Sequence, residues 1–137
     1  MSAPSAIDDT LRDAGLLAGR CLLVFIFLHE GWSLLGNYAG AAAYMQKSGV
    51  TPLLLPGVIA LQLGGGLLIA AGIFTRYAAI LFAVFCVLTA ILFHWQFADR
   101  NQVLHLQKDL AMAGGFLVLA CCGPGNWSLG RYLVRGK

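Results

Sequence analysis

LQLGGGLLIAAGIFTRYAAILFAVFCVLTAILFHWQF, Leu61 to Phe97, contains one formal charge, Arg76, between two long apolar runs. A membrane crossing takes about 20 apolar residues, and a chain inside lipid must satisfy its own backbone polar groups, so each run is expected to be a helix. The two helices would be joined only by a tight turn around Thr75.

Working outward, the second span is expected over 52–74, with Pro52 in a first turn where a missing N–H is harmless, and the third over 76–97. Two further apolar runs predict a first span over 14–36 and a fourth over 106–123, ended by Gly123-Pro124-Gly125. The composition agrees: 59% of the 137 residues are hydrophobic and only 11% charged, too little polarity to coat a small water-soluble domain. The expected fold is all-α, an integral membrane four-helix bundle over 14–123 with tails at 1–13 and 124–137. The apolar run behind Met1–Asp13 is too long for a signal-peptide core, so the first tail is read as uncleaved.

Charge fixes an expected direction. Arg12, Arg20, Arg76, Arg131, Arg135 and Lys137 fall at one end of the bundle, against Lys47, Arg100 and Lys108 at the other, with Arg20 read as snorkelling to the surface. Positive-inside then puts both termini in the cytoplasm. Trp32 and Trp95 would lie near the outer interface, and Tyr77, Trp127 and Tyr132 near the inner one. The net charge of +3 forms no cluster, which excludes nucleic acid as a partner. Cys21, Cys86, Cys121 and Cys122 all fall within spans and read as small apolar residues, not as a disulfide framework.

Close helix contact in lipid relies on small residues, and Ala60 with Gly64, Gly66 with Ala70, and Ala111 with Gly115 have the required spacing. GGGLLIAAG and AGGFLVLACCG also resemble each other, and each follows a span ending in an apolar run and a histidine, which suggests two tandem helical hairpins.

Polar residues collect at the outer end: His29 and Glu30 in the first span, His94 ending the third, His105, Lys108 and Asp109 starting the fourth, and Gln96, Asp99, Asn101 and Gln102 between. A carboxylate at this depth is costly unless paired or beside water, so Glu30 is expected to face the bundle interior, with Lys108 as its first-choice cation and His94 as the second. A structural clasp between the first and fourth helices is the alternative. No His-x3-His or Cys-x2-Cys spacing points to a metal or haem. A quinone headgroup needs hydrogen-bond donors, a proton route and an apolar slot. Glu30, His29, His94 and Lys108 are the candidates for proton and hydrogen-bond chemistry, and Trp32, Gln62, Trp95 and Asp109 for holding such a ligand. An interhelical hydrogen bond is the first reading of Gln62, a place in the cavity wall the second.

GRCLLVFIFLHEGW, LQLGGGLLIAAGIFTRYAAIL, FHWQF and KDLAMAGGFLVLACCGPGNWSLG together resemble the DoxX family of small four-helix bacterial membrane proteins, from about Leu16 to Leu129. Departures are Ser33, where a basic residue often follows the first-span glycine, Gln62, where an acidic one often precedes the second-span glycines, and Gly130, where aspartate is usual. The resemblance implies a protein of the bacterial inner membrane associated with redox chemistry, since relatives include subunits of thiosulfate:quinone oxidoreductase. The expected function is therefore a redox-associated component binding a quinone, in contact with lipid, with membrane or periplasmic redox partner proteins, or with further copies of itself. A non-catalytic subunit that stabilises partner proteins and a small transporter are the alternatives.

Overall fold

The apolar runs are helices, and the turns between them are set by individual residues. A computed structural model describes residues 6–135. In it the chain forms α1 (Ala6–Gly36), a short α2 (Tyr38–Lys47), α3 (Pro52–Ala71), α4 (Thr75–Phe93), α5 (Arg100–Cys122) and a short α6 (Leu129–Arg135), with no strand among the described residues. By length and composition α3, α4 and α5 are able to cross a membrane. α1 is the longest, at 31 residues, and carries Asp8 and Asp9 in its first turn.

The helix ends differ from expectation for local reasons. α1 begins at Ala6, so 6–13, expected as a tail, extends the first helix. The expected loop after it contains α2, whose Met45 is buried with Leu55 and Ile59 of α3. Thr51 accepts a hydrogen bond from the Leu53 N–H ahead of a 3-10 turn at Pro52–Leu54 that opens α3. α4 stops at Phe93, leaving His94 as its cap and Trp95 to Phe97 in the following loop. α5 starts at Arg100 and not at 106, because the Asp99 carboxylate accepts from the Asn101 N–H at 2.8 Å and caps the helix early.

The main pairings are α1 with α3 and α4 with α5, the two consecutive hairpins. They meet at Phe27, Phe82 and Phe116, one ring each from α1, α4 and α5, with centroids 4.8 to 5.5 Å apart, and Ile69 of α3 closes the cluster. Glycine allows this approach: a Cβ at Gly65 would meet Phe82 at 2.9 Å, one at Gly66 would meet Leu28 at 2.9 Å, and one at Gly115 would meet Leu23 at 2.9 Å. Gly64, expected in a seam with Ala60, instead has nothing within 4 Å, and the close approach is made at the next two residues, Gly65 and Gly66. Of the four cysteines only Cys86 is buried, and the others face out of the bundle.

Where the start of α1 approaches α6, the segment 123–128 folds back onto the helices, although 124–137 was expected as a cytoplasmic tail. Gly123 (φ +76°) and Gly125 (φ +78°) take left-handed conformations that let the chain reverse. The reversal carries backbone carbonyls to Arg20, which is only 2% exposed. Its guanidinium donates to the Ala70, Pro124 and Trp127 carbonyls, so Arg20 does not snorkel: its partners come to it. Asp13 anchors the same segment, accepting at 2.8 Å from the Asn126 N–H and at 2.8 Å from the Asn126 side-chain amide. Gly72 (φ +75°) closes the assembly, since a Cβ there would lie 2.4 Å from that of Ser128.

Arg20→Met would leave three carbonyls without their donor and should cost about 3–5 kcal/mol. Thermal unfolding in detergent should show it, and a variant as stable as the parent would refute this role. The hydrogen bonds from Asn126, backbone first, hold the Asp13 carboxyl below its ordinary value of 3.8. Because the folded value lies below the unfolded one, the contribution is complete above about pH 4 and is lost as pH falls through the folded value. The stability difference between the parent and Asp13→Leu should therefore narrow in that acid range, and a constant difference would contradict the assignment.

Candidate functional site

Midway along its length α3 departs from α-helical geometry. Leu61–Gly65 forms a π-helical turn, a wider winding that inserts a residue and re-aims the side chains around it. It fits against α1 because residue 31 is glycine: a Cβ there would meet the Leu63 side chain at 2.9 Å and the Gln62 Cβ at 3.1 Å. Gln62 is thereby buried, 7% exposed, with its Oε1 lacking any hydrogen-bond partner. Most buried polar atoms are paired, so an orphaned acceptor calls for an explanation.

Gln62 lines a cavity of about 440 Å³. Its wall includes Glu30 and Ser33 of α1, Tyr44 of α2, Phe85 and Thr89 of α4 and the capping His94. The lining is mostly apolar, with a few polar groups brought from separate helices, the general make-up of small-molecule sites. α2 covers one side, with Tyr44 stacked on Phe93 at 5.7 Å.

A polar array stands behind His94. Its Nδ1 lies 2.7 Å from Gln102 Oε1, and since an amide oxygen only accepts, Nδ1 carries the hydrogen. Its Nε2 lies 3.8 Å from Oδ2 of the buried Asp109, an ion pair when the imidazole is protonated. Thr89 Oγ1 is 3.1 Å from the same Oδ2 and also within 3.1 Å of the Phe85 and Cys86 carbonyls. Its single hydrogen serves one of these at a time. His105 stacks on His94 with ring centroids 5.0 Å apart, and Lys108 Nζ lies 3.3 Å from His105 Nδ1.

The structure thus brings Gln62 and His94 to the cavity wall with Asp109 behind them, while Glu30, expected to face the bundle interior, lies half exposed at the rim beside His29. It leaves out four of the expected residues. His29 is exposed and outside the wall, its Nδ1 3.7 Å from Glu30 Oε1. Trp32 and Trp95 are also exposed and line no part of the cavity. Lys108 is exposed and does not reach Glu30. Successive helical residues point about 100° apart, so burying Asp109 against α4 turns Lys108 outward. The expected interhelical bond through Gln62 Oε1 is not formed. Sequence reasoning missed Thr89, the one hydroxyl in an otherwise apolar stretch of α4, and the contribution of α2, which carries no motif.

Comparison with known proteins identifies the family. The DoxX family model matches residues 15–95. The chain is 45% identical over 125 residues to the inner membrane protein YqjF of Escherichia coli strain K12, covering 91% of this chain and 96% of that protein. It is 33% identical over 127 residues to the inner membrane protein YphA of the same organism, covering 88% of this chain and 91% of that protein. No solved structure matches. A matched region that spans the α1–α3 hairpin and α4, together with relatives alike over nearly their whole length, places this chain in the DoxX family.

Proposed function

We propose that this chain is a four-span protein of the bacterial inner membrane, with both termini cytoplasmic, whose cavity binds a quinone or a small molecule of similar shape as part of a redox-associated system. The two relatives bear inner-membrane names, and the positive charges favour the end where the termini gather. α1 serves as the fourth span because its polar residues are provided for: Arg20 is enclosed by carbonyls and Glu30 opens onto the cavity. The cavity then lies toward the outer face.

The observation that carries the ligand reading is the unpartnered Oε1 of Gln62 in the wall of a cavity large enough for a small ligand. A bound quinone supplies carbonyl oxygens when oxidised and hydroxyl groups when reduced. The Gln62 amide suits both states, since its oxygen accepts from a hydroxyl and its NH₂ donates to a carbonyl. His94 adds an imidazole that can donate or accept a hydrogen bond, oriented by Gln102 and set beside the Asp109 carboxylate. Glu30, half exposed at the rim, adds a carboxylate that accepts hydrogen bonds at the mouth of the cavity.

Titration of the detergent-purified protein with a short-chain quinone should give saturable binding, weakened about tenfold or more by Gln62→Leu and by His94→Phe, the equivalent of one lost hydrogen bond each. Gln62→Leu should also raise the stability of the ligand-free protein by about 1–2 kcal/mol, because an orphaned buried acceptor is removed. Folded protein that fails to bind quinones, or variants that bind as the parent does, would end this reading.

A further inference from the structure

A second cavity, of about 610 Å³, lies at the other end of the bundle, where Arg12 of α1, Arg76 of α4 and Arg131 of α6 all reach its wall. One carboxylate, Asp13, faces them, and both of its oxygens are committed to Asn126. Three guanidinium groups against one carboxylate leave the cavity positive. Arg76 uses one of its five N–H donors on the Ala120 carbonyl, at 3.1 Å, and packs over Gly123.

The start of α4 adds donors. Its cap residue is Phe74, which makes no side-chain capping bond and sits at φ +49°, a left-handed conformation a bulky residue holds only where its surroundings impose it. The first-turn N–H groups of such a helix lack intrahelical partners and carry the positive end of its dipole. Thr75, 2% exposed and part of the same wall, has a hydroxyl oxygen with no hydrogen-bond partner. These are the components of an anion site, assembled from three helices. Beside them Ile73, Phe74, Leu133 and Val134 give the cavity an apolar side, and all but Ile73 are largely exposed.

We propose that this cavity binds the phosphate headgroup of an anionic phospholipid, with the arginines, Thr75 and the α4 N-terminus on the phosphate and the acyl chains along the apolar side. A free phosphate would use the same polar groups, but it has no use for exposed Phe74, Leu133 and Val134. The site is independent of the quinone cavity, and in the orientation proposed above it opens to the cytoplasmic leaflet, where basic pockets between helices meet anionic lipid.

Native mass spectrometry and thermal unfolding of the full chain, with added cardiolipin, phosphatidylglycerol, phosphatidylcholine or inorganic phosphate, test it. The anionic lipids should bind and raise the unfolding temperature, and phosphatidylcholine should not. Arg12→Gln and Arg131→Gln should each weaken retention about fivefold, with Arg76 left in place because it also ties α4 to α5. Arg100→Gln, which removes the same charge at the far end, should leave retention unchanged. Equal responses to charged and neutral lipids, or equal losses in Arg100→Gln and Arg131→Gln, would overturn the site. Phosphate alone reproducing the full effect would overturn the lipid assignment.

Discussion

A guanidinium in the interior of an apolar bundle persists only where enough acceptors surround it, and Arg20 has three backbone carbonyls from two distant parts of the chain. Those bonds hold the end of α3 and the segment after α5 to the same point on α1. The reversal at Gly123 and Gly125, the close approach at Gly72 and the anchoring of Asn126 by Asp13 follow from that requirement. With this end closed, the four long helices keep a fixed register, and the aromatic cluster of Phe27, Phe82 and Phe116 packs between them.

The bundle treats its interior polar groups in two ways. Around Arg20 the acceptors are backbone carbonyls that the fold itself delivers. Around Gln62 the helix winding widens into a π turn and an acceptor is left without a partner beside open volume. An unsatisfied buried group costs stability, so its retention beside a cavity fits a role in holding something else. The second cavity repeats the pattern with Thr75, in a setting rich in arginine instead of apolar side chains. The closed clasp lies between these two open sites, at the same end as the basic one.

Much of the candidate site was legible because a polar residue inside an apolar run is conspicuous. Glu30, Gln62, His94 and Asp109 stand out in the sequence and all belong to the cavity or its backing. The same signal misled at His29, Trp32, Trp95 and Lys108, which share the level but not the direction. One position along a helix turns a side chain by about 100°, so a small uncertainty in register separates a cavity residue from a lipid-facing one. The cost of leaving a charge unpaired predicted that Glu30 would find a neighbour; it did not predict that the neighbour would be His29.

The sequence by itself determined that the chain is helical and built for a membrane, with tight turns at Thr75 and after Cys122. These follow from local composition: apolar length, and the inability of lipid to hydrogen-bond a bare backbone. The tertiary structure alone decided that Arg20 is enclosed, that Asp13 ties down a segment more than a hundred residues away, that α2 covers a cavity and that Gln62 lacks a partner. Each of these depends on which groups from remote parts of the chain arrive at one point. Spacing along a single helix carries no information about that, because it is set by how whole helices pack and how the loops between them fold back.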